Sequence, residues 1–258
     1  MDLRISGRKA LVCASSKGLG FGCAMALANA GVNITMCARN ETQLIAAANK
    51  IREIGVDVSI VVCDITSEDG LENVLRKIPN PDILINNAGG PPPGSWENWK
   101  KNDFLSAIQA NMLTPISLMQ RVLPSMIEQK WGRIVNITSG AVKAPIPALG
   151  LSNSARAGLT GFVAGVSRQV ARDGVLINNV LPGVHDTDRI KGFDEKLAKD
   201  LNITIEEARK RKALSIPVGH YGDAEGFGNL CAFLCSEHAA FIVGQNIVID
   251  GGAINATI

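Results

Sequence analysis

The chain has 258 residues, of which 46% are hydrophobic and 19% charged, and its formal net charge is +2. This composition is typical of one layered globular domain rather than of a disordered chain. So small a charge does not favour nucleic acid or a membrane surface as a partner. The first ten residues lack an apolar stretch, and no run of about 18 apolar residues follows. We therefore expect a single domain over residues 1–258, no membrane partner and a cytoplasmic location.

The six cysteines do not form a C-x-x-C pair, so a zinc or redox motif is not indicated and we predict no metal site. Three of them fall within apolar, strand-like runs, which predicts small buried side chains in a reducing compartment. The cysteines are Cys13, Cys23, Cys37, Cys63, Cys231 and Cys235.

Short runs rich in Val, Ile and Leu alternate with longer stretches of helical period. Continuous apolar runs are typical of strands that helices bury on both faces, and strict alternation predicts a parallel sheet with right-handed crossovers. The predicted strands are Ala10–Ala14, Asn33–Ala38, Asp57–Cys63, Ile83–Asn86, Arg133–Thr138, Val175–Leu181 and Asn246–Asp250. The predicted helices are Gly20–Ala30, Glu41–Ile54, Ser67–Ile78, Asn102–Gln129, Ser152–Asp173 and Ala224–Ser236.

A glycine-containing loop joins the first strand to the first helix. Gly18 and Gly20 let the backbone approach a phosphate without a Cβ clash. The helix N-terminus then offers free N–H groups and the positive end of the helix dipole. In the first βαβ unit this spacing predicts a dinucleotide phosphate site.

The residues after the second strand indicate which nucleotide is bound. An NAD site usually has a carboxylate here for the ribose 2′-hydroxyl, but Cys37-Ala38-Arg39-Asn40 has none. Arg39 can instead bond a 2′-phosphate, and Lys17 adds a second cation in the glycine loop. The sequence therefore favours NADP(H) over NAD(H).

Two further segments are unusual. Gly90-Pro91-Pro92-Pro93-Gly94 follows a strand, so it is either a stiff spacer or a rigid wall of a ligand pocket at the carboxyl edge of the sheet. Residues 188–213 are highly charged and helical in period. We interpret them as a helical substrate flap within the single domain.

Several motifs, in order along nearly the whole chain, resemble those of the short-chain dehydrogenase/reductase family. The family's Thr-Gly-x-x-x-Gly-x-Gly pattern is matched at Gly18 and Gly20, whereas Cys13 and Ala14 occupy its first two positions. We expect Ala14 to replace glycine only with a negative φ. The other matching motifs are Asp64 after the third strand, Asn86-Asn87-Ala88-Gly89 after the fourth, Asn111 in the next long helix, Pro182-Gly183 with Thr187 after the sixth strand, and Asp250-Gly251-Gly252 after the seventh.

This resemblance implies a Rossmann-type, doubly wound α/β fold with a seven-stranded parallel sheet of order 3-2-1-4-5-6-7 and helices on both faces. It also implies that the chain holds NADP(H) and assembles as a homodimer or homotetramer. The implied cofactor residues are Ala14, Ser15, Ser16, Lys17, Gly18, Leu19, Gly20, Arg39, Asp64, Ile65, Asn87, Ala88, Gly89, Arg156, Pro182, Gly183 and Thr187.

The family's catalytic Ser, Tyr and Lys are only partly present. Ser139 falls at the serine position and Asn111 at the supporting asparagine, but Ser152 stands where the tyrosine is expected and Arg156 where the lysine is. The only tyrosine, Tyr221, lies far along the chain. Arginine keeps the positive charge but does not relay protons, and serine is a weak acid near neutral pH.

Three hypotheses remain open. The chain reduces a small carbonyl or activated alkene that needs little acid help, as an enzyme similar to the 3-oxoacyl-acyl-carrier-protein reductases. Alternatively, another group in the substrate pocket supplies the proton, His185 being the first candidate on pKa grounds and Lys143 the second. Finally, the chain binds NADP(H) without turnover, as a sensor, scaffold or inactive partner. Arg156, Lys143 and His185 would make the mouth of this pocket mildly cationic. The first two hypotheses therefore favour an acidic or polar substrate.

Overall fold

A seven-stranded parallel sheet forms the centre of the computed structural model, which describes residues 1–256. The strand order is β3-β2-β1-β4-β5-β6-β7, which confirms the predicted topology. The strands are β1 (Lys9–Cys13), β2 (Asn33–Ala38), β3 (Val58–Val62), β4 (Ile83–Asn86), β5 (Gly132–Ile137), β6 (Val175–Pro182) and β7 (Asn246–Ile249). The helices are α1 (Gly18–Asn29), α2 (Glu41–Arg52), α3 (Glu68–Lys77), α4 (Lys101–Ile108), α5 (Thr114–Glu128), α6 (Gly150–Val170), α7 (Asp188–Leu201), α8 (Ile205–Leu214) and α9 (Ala224–Leu234).

Alternate residues of the central strands build two separate cores. Ala10 and Val12 of β1 pack on the side that also holds Leu27 of α1 and Phe227 of α9. Leu11 packs on the opposite side with residues of α3, α5 and α6. Successive strand side chains point to opposite faces, so helices cover both faces of the sheet. This explains why the strands appear in the sequence as continuous apolar runs.

The long helix predicted at Asn102–Gln129 is wrong in one respect, because a turn of π-helix, Gln109–Leu113, divides it into α4 and α5. The N–H of Thr114 bonds the carbonyl of Gln109, five residues back, and its hydroxyl donates to the same oxygen at 2.8 Å. Pro115 follows and has no N–H to continue the α-helical ladder. The widened turn carries Asn111, and such turns are frequent at functional sites.

The predicted flap contains two helices, α7 and α8, joined around a buried carboxylate. Asp194 of α7 is fully buried and accepts hydrogen bonds from Arg209, Lys212 and the Tyr221 hydroxyl. Two cations and a phenol satisfy this carboxylate, so α8 and the Tyr221 turn hold α7 in one position.

The cysteines are free thiols, and five of them are buried; Cys63 is partly exposed. Burial raises the pKa of Cys231 and Cys235 well above that of an ordinary thiol. None of the helices described is both long and apolar enough to cross a bilayer. Within residues 1–256, no cluster of three or more His, Cys, Asp or Glu side chains is arranged to hold a metal ion.

Candidate active site

The glycine loop forms a cradle at the carboxyl end of β1. Gly18 has φ +58°, and a Cβ on Gly20 would lie 2.4 Å from the carbonyl oxygen of Ala14, so only glycine fits there. The expectation for Ala14 is wrong: its φ is +47°. The loop keeps the left-handed backbone that a glycine would adopt, and Ala14 bears the steric cost of its Cβ.

The start of α1 faces this cradle with unbonded backbone groups. Lys17 is the N-cap residue, and its side chain does not cap the helix. Instead, its ammonium donates to Asp188 of α7 at 3.0 Å. The first amides of α1 therefore remain available to a phosphate, and the helix dipole favours one there. The cradle thus fits the pyrophosphate of a dinucleotide.

Arg39 directly follows β2, and Asp64 lies two residues after β3; both are next to the glycine loop. Arg39 is exposed and belongs to none of the ion pairs found within residues 1–256. The pKa of Asp64 is lowered, first by the hydrogen bonds from the Thr66 amide and hydroxyl and further by the charge of Arg39. Ile65, next to it, is buried. A free guanidinium at this edge suits a 2′-phosphate.

The segment after β4 connects the cradle to the π-helical turn. The Asn87 side chain donates to the carbonyl of Ala14 at 3.2 Å, and the Asn111 amide lies 3.5 Å from the carbonyl of Gly89. Asn111 is 2% exposed, and its Oδ1 has no hydrogen-bond partner in the described chain. A buried acceptor without a donor is costly, so Asn111 is a candidate to receive a hydrogen bond from a water or ligand.

Ser152 and Arg156 lie on one face of α6, four residues apart, and are bonded to each other. Arg156 Nε donates to Ser152 Oγ at 3.2 Å, and a terminal nitrogen donates to the carbonyl of Ile137 at 2.7 Å. Both residues are buried. Ser139 stands two residues beyond Ile137, where its Oγ accepts from the Ala141 amide at 3.1 Å. The bond from Arg156 to Ile137 thus joins the start of α6, with Ser152 and Arg156, to the end of β5, two residues before Ser139.

The guanidinium of Arg156 is buried without a carboxylate. None of the ion pairs in the described part of the chain includes it. Desolvation, with a further contribution from the charge of Arg189, lowers the pKa of Arg156 to about 10. Because Ser152 Oγ accepts from Arg156, its own hydroxyl hydrogen is free to donate to a third group.

Pro182, Gly183 and Thr187 close the other side of the cradle. The Gly183 amide donates to Ile249 at the end of β7, which fixes the loop at the edge of the sheet. The Thr187 methyl lies 3.5 Å from the place a Cβ on Gly18 would take. Thr187, the residue before the predicted flap, therefore lies against the glycine loop.

His185 is buried beside α9, whereas Lys143 lies at the surface. His185 is 4% exposed, and its ring packs edge-on against Phe227 with centroids 5.3 Å apart. Desolvation lowers its pKa. Lys143 is exposed, and neither residue lines the two cavities found beside the proline loop. The loop after Gly183 turns His185 towards α9, where its backbone pairs with Gly222 and its Nδ1 lies 3.3 Å from the carbonyl of Gly183.

Two adjoining cavities open beside the proline loop, and Pro91 and Pro92 line both. The first, of about 150 Å³, also touches Gly89, Asn111 and Leu151. The second, of about 260 Å³, lies between the loop and α7. The loop therefore lines both cavities, as the second interpretation of its sequence expects.

Arg189 is the residue of this region that the sequence analysis missed. It donates to the carbonyls of Gly90 and Pro91 at 2.8 and 3.2 Å, and it lines the second cavity. The available signal was helical spacing: residues 189, 192, 193 and 196 fall on one face of α7.

Comparisons with known proteins agree with this geometry. A family model described as enoyl-(acyl carrier protein) reductase matches residues 13–254. A 3-oxoacyl-[acyl-carrier-protein] reductase from Aquifex aeolicus is 31% identical over 259 aligned residues, covering 98% of this chain and 99% of that protein.

Solved structures show the same fold over nearly the full length. The L-sorbose reductase of Gluconobacter frateurii, in complex with NADPH and L-sorbose, superposes with a TM-score of 0.94 at 26% identity, covering 99% of this chain and 100% of that one. YwfH, an NADPH-dependent reductase involved in bacilysin biosynthesis, gives 0.91 at 27% identity, covering 97% and 100%.

Proposed function

Because the chain belongs to the short-chain dehydrogenase/reductase family, we propose that it is an NADP(H)-dependent oxidoreductase, similar to the 3-oxoacyl-acyl-carrier-protein reductases, that acts on a small carbonyl or activated alkene. In the reducing direction, a hydride adds to the electrophilic carbon and a proton adds to the carbonyl oxygen, or to the neighbouring carbon of an alkene. NADPH, when bound, supplies the hydride.

The cofactor residues are those that the resemblance implied. The loop from Ala14 to Gly20 and the start of α1 accept the pyrophosphate, and Asn87 fixes the loop through the Ala14 carbonyl. Arg39 binds the 2′-phosphate. The remaining contacts come from the segments around Asp64–Ile65, Ala88–Gly89 and Pro182–Thr187, with Arg156 at the ribose. Two relatives support this choice. The L-sorbose reductase structure contains NADPH, and YwfH is named an NADPH-dependent reductase.

The bond from Arg156 to Ser152 is the observation that supports turnover. It orients the serine hydroxyl so that its hydrogen can donate to the substrate, while the guanidinium, lacking a carboxylate partner, stabilises negative charge that develops on the substrate. Ser139 donates a second hydrogen bond, and Asn111 holds a water through its unpartnered oxygen. These residues best suit a substrate whose reduction does not depend on protonation by a strong acid.

Binding without turnover is the alternative function. The absence of a tyrosine or lysine at positions 152 and 156 favours it, since a positioned general acid is worth about 10²–10⁴ in rate. The intact Ser152–Arg156–Ile137 geometry favours catalysis, because a protein that only binds the cofactor does not need an oriented serine hydroxyl.

A titration with NADPH and with NADH tests the cofactor assignment. We expect NADPH to bind roughly ten- to a hundredfold more tightly, the value of one or two charge-assisted hydrogen bonds to the 2′-phosphate. Arg39→Ala should remove most of this preference without changing NADH affinity. Arg76→Ala, which removes an exposed cation from α3, is the matched control. Equal affinities for the two cofactors would refute the role of Arg39. Failure to bind either cofactor would refute the proposal that the chain is an NADP(H)-dependent enzyme.

A paired substitution tests the catalytic role of Ser152. Ser154 lies on the same helix, exposed, with its hydroxyl bonded to the carbonyl of Gly150. With activated alkenes and α-dicarbonyl compounds as substrates, Ser152→Ala should lower kcat by roughly tenfold or more, whereas Ser154→Ala should not. NADPH affinity should stay unchanged in both variants. No turnover of any such substrate by a chain that binds NADPH would favour the alternative function.

The flap, the assembly and the location extend the proposal. Residues 188–213 act as a substrate flap, and the chain works in the cytoplasm as a homodimer or homotetramer. Gly161 and Gly165 are exposed on α6, and a Cβ at either would meet no atom within 4 Å, which leaves room for a second α6. Light scattering on the eluted protein should give a dimer or tetramer, and Gly161→Leu should shift it towards monomer. A monomeric wild type would contradict the assembly.

A further inference from the structure

One face of α7 carries the charged wall of the larger cavity. Arg189, Gly192, Phe193 and Lys196 are spaced i, i+3, i+4 and i+7, so they line up along the helix opposite the proline loop. A Cβ on Gly192 would meet no atom within 4 Å, so this glycine leaves the cavity open. The cavity therefore has one apolar wall of prolines and one wall whose only charged residues are cations.

The two cations of this wall differ from their neighbours in lacking acidic partners. Elsewhere in the flap Arg209 and Lys212 pair with Asp194, and Lys191 pairs with Asp188. Arg189 bonds only two backbone carbonyls, and Lys196 makes no side-chain hydrogen bond or ion pair in residues 1–256. Part of the Arg189 guanidinium is thus committed to the loop, and its remaining N–H groups are available to a ligand.

Positive charge continues from this wall to the catalytic residues. The charge of Arg189 acts on Arg156, which likewise has no carboxylate partner. The one carboxylate lining either cavity is Asp103, and it accepts from the Lys100 amide at 2.7 Å at the start of α4. Lys196 is exposed, whereas partial desolvation lowers the pKa of Arg189, so an anion in the cavity gains most from Arg189.

We propose that the cavity between α7 and the proline loop binds a carboxylate of the substrate, so that the natural substrate is a small oxo acid or unsaturated acid rather than a neutral ketone. The carboxylate lies between Arg189 and Lys196, and the apolar remainder contacts Phe193 and the prolines. This inference rests on the proposed function, since it assigns the substrate class of that same site.

A matched pair of probes tests the inference. The anion 2-oxohexanoate and its neutral analogue 2-oxohexanamide differ only at the group that would meet Arg189. Their dissociation constants are measured by calorimetry with and without saturating NADP⁺. We expect the acid to bind roughly tenfold more tightly than the amide or better, and its advantage to shrink as salt is raised.

Variants assign this preference to the cavity. Arg189→Gln and Lys196→Gln should each remove much of the advantage of the acid. Lys196→Gln breaks no side-chain hydrogen bond or ion pair within the described chain. Gly192→Leu, which fills the cavity, should weaken both probes. Lys191→Gln removes an equal charge from α7 outside the cavity lining and should leave the preference intact.

Three outcomes would overturn the inference. The first is equal binding of the acid and the amide, and the second is a preference for the acid that survives both Arg189→Gln and Lys196→Gln. In the third, Arg189→Gln weakens NADP⁺ as much as it weakens the acid, which would assign this cation to a cofactor phosphate. A chain that fails to bind NADPH refutes the proposed function instead, and the probe titrations without cofactor still decide whether the cavity selects carboxylates.

Discussion

Replacing Ala14 by glycine should stabilise the protein. Ala14 holds φ +47°, a left-handed conformation that costs a residue with a Cβ about 1–2 kcal/mol. Glycine removes this cost. It also gives the unfolded chain more freedom, which lowers the free energy of unfolding by about 0.4–1 kcal/mol. The free energy of unfolding of Ala14→Gly should therefore rise by about 0.5–1 kcal/mol, a midpoint increase of about 1–4 °C for a chain of this length.

Urea unfolding at fixed protein concentration measures this difference, and Ala30→Gly is the control. Ala30 ends α1 with φ −89° and ψ 11°, where alanine is not strained, so glycine should cost about 0.5–1 kcal/mol there. The two substitutions should thus move the free energy of unfolding in opposite directions. If Ala14→Gly destabilises the protein as much as Ala30→Gly does, the left-handed strain assigned to the cradle does not exist.

Three further predictions concern the cofactor cleft and its surroundings. The double variant Ser152→Tyr with Arg156→Lys should raise kcat on a simple ketone by roughly tenfold or more, because it restores a general acid; no gain would mean that the cavity does not admit the phenol. Asp188→Asn frees the ammonium of Lys17, so NADPH should bind about two- to fivefold more tightly at low salt, as measured by cofactor fluorescence, with little change for NADH. The pKa of His185 is lowered by burial, so the unfolded chain takes up its proton first as the pH falls. The free energy of unfolding should therefore drop as the pH falls below about 6.5, the ordinary pKa of an imidazole, and His185→Gln should reduce that drop; an equal drop in the variant would place the titration elsewhere.

The sheet could be predicted from sequence because its strands are buried on both faces. Continuous apolar runs such as Ile83–Asn86 predict their own boundaries to within a residue or two. The π-helical turn at Gln109–Leu113 could not be predicted this way, because the apolar period continues through it. Its cause is local: Pro115 lacks an N–H, and the Thr114 hydroxyl bonds five residues back.

The candidate site was predicted in its positions but not in its contacts. Spacing alone identified Ser152 and Arg156 as neighbours on one helix face. The surroundings of the buried Arg156 depend on the Ile137 carbonyl of β5 and on the charge of Arg189 of α7, which no local pattern reveals. The packing of His185 against Phe227 was not predictable for the same reason, since its sequence position does not show which way its loop turns.

The two substitutions in the catalytic set are best understood together with the charged cavity. A tyrosine and a lysine protonate a carbonyl oxygen as the hydride arrives, and a serine beside an arginine does this poorly. Fixed cations can compensate, because a guanidinium that stays charged stabilises an oxyanion or enolate without transferring a proton. A carboxylate held by Arg189 and Lys196 would also restrict the positions that the substrate can take, and orientation is the contribution that needs no acid. If the cavity holds a carboxylate as proposed, the site exchanges proton transfer for charge and position, and it then favours substrates that are already electron-poor and anionic.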